Sequence, residues 1–322
     1  MTNQDSPQLE KLATTLKDSG RYRVIQKYQR PEYYHEDDPC QKCIGVFVDV
    51  ETTGLNSASD KIIELGMVRF EYSKDGRIFR IIDEFNKYSD PKIPIPSSIT
   101  KLTGITDQMV QGHHIDIQEV ESYVQNVNLI ISHNAQFDRG FFEVMFPNLE
   151  PKPWACLMKD VSWREENIES NKLEYIAYRY DFFYEGHRAV IDCLAGIHIL
   201  SKSLKTSQKL VLTELLDTSR KIIFKLWASG ASYASKDLLK LRGYRWETRA
   251  ADKSQAWSIE LTKDKIKDEI AFLKSEIYGL HKTIKLSIPV DIIDAYTRFS
   301  NIKSSSVSEK YKNELEWIKQ II

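Results

Sequence analysis

The sequence predicts an α/β protein: a mixed sheet flanked by helices, followed by a smaller α+β C-terminal domain. Three observations carry this expectation. Strand-like runs at 44–50, 62–72 and 78–88 follow one another across short polar turns, as in an antiparallel meander. The short apolar run "LIISH" is then reached through a helical stretch near 115–126, and further helices are expected at about 135–145, 171–180 and 188–203. Strands first antiparallel and then joined through helices imply a mixed sheet with helices on both sides. At "LKTSQK" the composition shifts, and the remainder carries helices and strands of its own. Three segments are therefore expected: an N-terminal appendage at 1–42, a main domain at 43–205 and an accessory domain at 206–322.

Within the appendage, Leu9, Leu12 and Leu16 fall on one helical face, "DSG" closes that helix, and a mixed aromatic stretch "RYRVIQKYQRPEYY" follows. The polar "HEDDPCQKC" leads into the first strand. Beyond the shift come the helix-like "SKDLLKLRGY", two short strands around "RWETRAADKSQAWSIEL" and a long helix from Thr262 to about His281. In that helix Ile266, Ile270, Leu273, Ile277 and Leu280 recur at spacings of four, three, four and three, which makes one apolar stripe. The stripe can pack on its own domain or bring two copies of the chain together. Arg242, Tyr244, Arg245, Trp246 and Trp257 can form a stacking and phosphate-binding surface, or the core and rim of the small domain.

With 322 residues and 42% hydrophobic composition, the chain can bury a sizeable core. The start is polar and no apolar run is long enough to cross a bilayer, so a cytoplasmic location without membrane partners is expected. Four cysteines are too few and too scattered for a disulfide framework. Cys40 and Cys43 have zinc-like spacing with His35 nearby, but a closed site needs four ligands and no second pair appears. The net charge of −1 divides unevenly: residues 206–322 carry 21 Lys and Arg against 15 Asp and Glu, leaving 24 against 31 for residues 1–205. An acidic metal site beside a cationic neighbour for an anionic polymer would produce this split, as would ordinary variation in surface charge.

Residues 46–55 read "VFVDVETTGL", and two carboxylates sit inside a run that otherwise resembles a buried strand. A strand alternates faces, so Asp49 and Glu51 share one side while Val48 and Val50 take the other. Like charges that close raise each other's pKa unless something offsets them. The pair is either a solvated edge or half of an oxygen cage for a hard divalent cation. The cage needs further acids. Asp138 in "ISHNAQFDRGFF" lies just inside a helix after a buried strand, and in "EGHRAVIDC" His187 precedes Asp192 by five residues at another helix start.

The ordered set "VDVETTGL", "KLTGIT", "SHNAQFD" and "HRAVID" resembles the DEDD-type 3′–5′ exonucleases of the histidine subtype, on a ribonuclease H-like fold. The match covers about residues 44–203 and is most similar to the DNA polymerase III epsilon type, more distantly to the ribonuclease T and oligoribonuclease branch. The resemblance implies that Asp49, Glu51, Asp138 and Asp192 hold two Mg²⁺ or Mn²⁺ ions, with Asp49 bridging them, and that His187 is the general base. It also places a terminal nucleotide against "ETTGL" and "SHNAQFD": backbone near Thr52 and Thr53 at the 3′-hydroxyl, Leu55 against the base, Asn134 and Phe137 along the pocket. Core packing is the alternative for Leu55 and Phe137. The expected partner is a nucleic-acid 3′ end, DNA favoured over RNA, with a polymerase or repair partner and self-association both open. The leading function is a metal-dependent 3′–5′ exonuclease on single-stranded DNA that releases nucleoside 5′-monophosphates. Its rivals are a 3′-exoribonuclease on the same fold and a nucleic-acid-binding scaffold with a vestigial site.

Overall fold

The computed structural model describes residues 6–249, 251–280, 285–300, 311, 313, 314 and 316. The chain forms two compact units, the first from Met1–Phe146 with Ala155–Leu216, the second from Pro147–Trp154 with Asp217–Ile322.

The first unit is built on a five-stranded sheet whose order is Ile78–Tyr88, Ile62–Ser73, Lys42–Thr52, Leu129–Ser132, Trp154–Cys156. The first three strands pair antiparallel, and Lys42–Thr52 pairs parallel with Leu129–Ser132, so the sheet is mixed as expected. Its middle strand reads as a near-continuous apolar run because both faces are covered: Val46, Phe47 and Val48 have no exposed surface. The helix Ala189–Leu200 lies close on one face at two glycines. A Cβ on Gly196 would stand 2.3 Å from the Phe47 ring, and one on Gly66 would stand 2.5 Å from the Ala189 backbone. Both contacts need a bare Cα.

Segments of the first unit follow the expected elements with additions. The stretch near 115–126 is the helix Ile117–Val124, with the Asp116 carboxylate accepting from the Gln118 N–H at 2.8 Å. "KLTGIT" ends a short helix, Ser97–Thr103, at Gly104 in the left-handed conformation, φ +74°. The helix Ser6–Asp18 forms, but Leu9 and Leu12 on its apolar face remain about 60% exposed. The rest of the supposed appendage is part of the fold. Gln26–Lys27 pairs in parallel with Phe182–Phe183, and Tyr28 and Tyr34 pack on the core. At the other end Val211, Leu212, Leu215 and Leu216 join that same core. The first unit therefore runs past 205, because the burial of one helix face, and not the shift in charge, marks where packing ends.

The second unit holds a four-stranded antiparallel sheet in the order Val290–Ile293, Ile223–Ala228, Gln255–Leu261, Arg245–Thr248. The expected long helix begins as a 3₁₀ turn at Lys263–Lys265, continues as α-helix over Ile266–Phe272 and widens to a π-helical turn at Leu273–Ile277. It ends at Ile277, short of the expected His281: Tyr278, Gly279 and Leu280 are not helical, and Gly279 takes φ +60°, while His281 itself lies outside the described residues. Ile266, Ile270, Leu273 and Ile277 are buried in the unit's own core with Phe224, Leu226 and Trp257, so the stripe is used up there and is not a free face for a second copy. Of the five candidate docking residues, three are structural. Arg242 pairs with Glu269 at 3.0 Å, the Tyr244 hydroxyl donates to Glu269 at 3.0 Å, and Trp257 is buried. Arg245 and Trp246 remain exposed.

Candidate active site

The strand Lys42–Thr52 alternates as its sequence dictates, so Asp49 and Glu51 both point to the side on which Ala189–Leu200 packs. That helix delivers Asp192 from its first turn, and oxygens of Asp49, Glu51 and Asp192 lie within 4.8 Å of one another. The strand Leu129–Ser132 ends beside the same point, and the helix after it, Ala135–Met145, brings in Asp138, which is almost fully buried. The Val50 backbone N–H hydrogen-bonds to the Asp138 carboxylate. All four acids and His187 line one cleft of about 470 Å³, together with Asn134 and Phe137. The solvated-edge alternative for Asp49 and Glu51 is thereby excluded.

His187 stands just ahead of the helix start in a left-handed backbone conformation, φ +63°, which a residue with a Cβ rarely adopts. Its side chain is exposed to the cleft, with Nε2 3.9 Å from Glu174 Oε1. Asp192 is held at both oxygens: Oδ1 accepts from the Tyr184 hydroxyl and Oδ2 from the Arg188 N–H, each at 3.1 Å.

Burial and mutual repulsion act on the acids together. Glu51 is pushed from an ordinary 4.5 up to about 8, first by burial and then by the charges of Asp192, Glu64 and Asp138. Burial likewise raises Asp49, Asp138 and Asp192, with neighbouring carboxylates adding to it and hydrogen bonds to Asp138 and Asp192 opposing it. An all-oxygen donor set whose charges repel is what a hard divalent cation relieves, so the residues fit Mg²⁺ or Mn²⁺. No cysteine joins such a group among the described residues, and His35 Nδ1 is bonded to the Ile78 carbonyl.

A raised carboxylate pKa has a definite effect on stability. Below about pH 4.5 Glu51 is protonated folded or unfolded, and its burial adds no charge penalty; as pH rises towards 8 the unfolded state gives up the proton more readily and stability is lost. In chelator the melting temperature should fall between about pH 5 and 8, and Mg²⁺ should raise it more at pH 8 than at pH 6. A magnesium shift equal at both pH values, or none, would contradict cation binding here.

The turn after Glu51 is tightly held. Thr53 N–H donates to the Lys61 carbonyl at 2.9 Å, and the Thr52 hydroxyl donates to the Gly54 carbonyl at 2.5 Å. None of Thr52, Thr53 and Leu55 lines the cleft: Thr52 and Thr53 are buried, and Leu55 is 87% exposed, which excludes core packing for it. Phe137 is half-buried against Phe141, ring centroids 4.9 Å apart. Sequence reasoning missed the opposite wall, formed by Ser170, Asn171, Lys172, Leu173 and Glu174, because that stretch was legible only as a helix. His133, also in the cleft, sits inside the quoted "SHNAQFD", and burial pushes its imidazole down to about 4, which keeps it neutral.

A mixed sheet whose middle strand and two following helices converge four carboxylates in one cleft with a histidine is the frame of a metal-dependent nuclease. Residues 46–200 match the model of the exonuclease family RNase_T. The chain is 35% identical over 166 residues to a PolC-type DNA polymerase III of Clostridium perfringens, and 33% identical over 171 residues to that of Halalkalibacterium halodurans. Each alignment covers 50% of this chain and 11% of the polymerase, so the chain spans about a tenth of the length of these relatives. A solved structure of exonuclease X in complex with 5′ overhanging duplex DNA is 22% identical, covering 52% of this chain and 99% of that one with a TM-score of 0.38. Residues 46–200 are a DEDD-type 3′–5′ exonuclease domain. Among the described residues no helix is long and apolar enough to cross a membrane.

Proposed function

We propose that the protein is a divalent-metal-dependent 3′–5′ exonuclease that removes nucleoside 5′-monophosphates from single-stranded DNA, acting in the cytoplasm in replication or repair. The observation that carries this reading is the convergence of Asp49, Glu51, Asp138 and Asp192 in one cleft with His187. Those four acids would hold two ions, which when bound polarise the attacking water and stabilise charge developing at the phosphate. His187, exposed in the cleft, takes the proton of that water, a task for which an imidazole is suited near neutral pH. Asn134 and Phe137, which line the cleft with the acids, would receive the terminal nucleotide, and Leu55, exposed outside the cleft lining, would press on its base. Thr52 and Thr53 shape the turn that presents Leu55, their own polar groups being engaged locally.

DNA is favoured over RNA because the curated relatives are DNA polymerases. The exposed Arg245 and Trp246 of the second unit have the chemistry for phosphate and stacking contacts with a single strand. The test uses single-stranded DNA and RNA of one sequence, 5′-labelled, with Mg²⁺ or with chelator. Faster shortening of DNA than RNA, stopped by chelator, is expected; a preference for RNA would favour the exoribonuclease, and no shortening of either would favour the scaffold.

A further inference from the structure

We infer that Glu64 and Arg188, neither of which lines the cleft, are positioning residues that pin the helix start next to His187 and thereby fix His187, and so set turnover. The inference rests on His187 being the general base.

Glu64 has no exposed surface, and in the strand register it sits directly opposite Glu51. Two glutamates so placed repel, and the sheet keeps the pair only because a cation lies beside it. Arg188 supplies the cation. Its Nη2 donates to Glu64 Oε1 at 3.0 Å and to the Tyr88 hydroxyl at 2.7 Å, and its Nε lies 3.3 Å from both Glu64 oxygens. Glu64 Oε2 also accepts the Ala189 N–H at 3.2 Å. The helix Ala189–Leu200 has no side-chain cap of its own at Arg188, so a carboxylate from the neighbouring strand does that work. The close approach at Gly66, two residues along and on the same face, brings the helix start within reach.

His187 is thus bracketed. Its left-handed backbone is disfavoured and persists only if the surroundings hold it. On its C-terminal side Arg188 is pinned by side chain to Glu64 and by N–H to Asp192. Glu64, fully enclosed, cannot touch a substrate; its charge acts either through what Arg188 and Ala189 hold or directly on the neighbouring Glu51, and the His187→Ala background separates the two routes.

The test measures kcat and KM on a labelled single-stranded oligonucleotide for Glu64→Gln and for Arg188→Gln, each also in a His187→Ala background. Each single substitution is expected to lower kcat by roughly 10- to 100-fold, the scale of a small misplacement of a reacting group, with KM within about twofold. In the His187→Ala background the same changes should alter the residual rate by less than about twofold, since the group they position is gone. A raised KM with unchanged kcat, an unchanged kcat, or an undiminished loss in the His187→Ala background would overturn the positioning role. Normal turnover in His187→Ala alone would instead overturn the base assignment and this inference with it. Should Arg188→Gln fail to fold, Glu64→Gln, which keeps the volume and an acceptor for Ala189, carries the test.

Discussion

Asp49→Asn should lower turnover at saturating Mg²⁺ by about 10³-fold or more while making the metal-free protein more stable. Asp49 sits between Glu51 and Asp192 with Asp138 near, and every one of those charges raises its pKa once burial has done so. Removing it takes away a ligand whose ion is worth several kcal/mol in the transition state, at about 1.4 kcal/mol per decade of rate. The same change removes a repelling charge, so the melting temperature in chelator at pH 8 should rise and its response to Mg²⁺ should shrink. Near-normal turnover would take Asp49 out of the metal site. A less stable metal-free variant would make its role structural.

His187→Ala should reduce kcat by about 100-fold or more, the usual scale for a lost general base, with little change in affinity for the oligonucleotide. The side chain is 45% exposed and its nearest acid, Glu174 at 3.9 Å, is half exposed, so its loss leaves no buried charge unpaired and the fold should survive. A variant that kept its rate would show that another group takes the proton.

What could be read in advance was what the chain encodes locally. The alternation in "VFVDVETTGL" put Asp49 and Glu51 on one face, and the structure has them there. The helices bearing Asp138 and Asp192 form where they were expected, at about 135–145 and 188–203, and the motif order named His187. Glu64 could not be found that way. Its meaning comes from the residue opposite it on the next strand and from an arginine far along the chain, and neither leaves a mark on the pattern around "IIELG". The same holds for Val290–Ile293, four residues that become a strand only by pairing with Ile223–Ala228. Val211–Leu216 misled through charge: the segment follows a cationic shift, yet its apolar face completes the first unit's core.

The most direct test of the central claim is the fate of a 3′-end label on single-stranded DNA in the first turnover. If the cleft is a metal-dependent 3′–5′ exonuclease site, the label should leave first as a nucleoside 5′-monophosphate, in Mg²⁺ and not in chelator, and not from the Asp49→Asn variant. Release of the label within longer fragments, loss of a 5′ label ahead of the 3′ label, or equal release in chelator would contradict it.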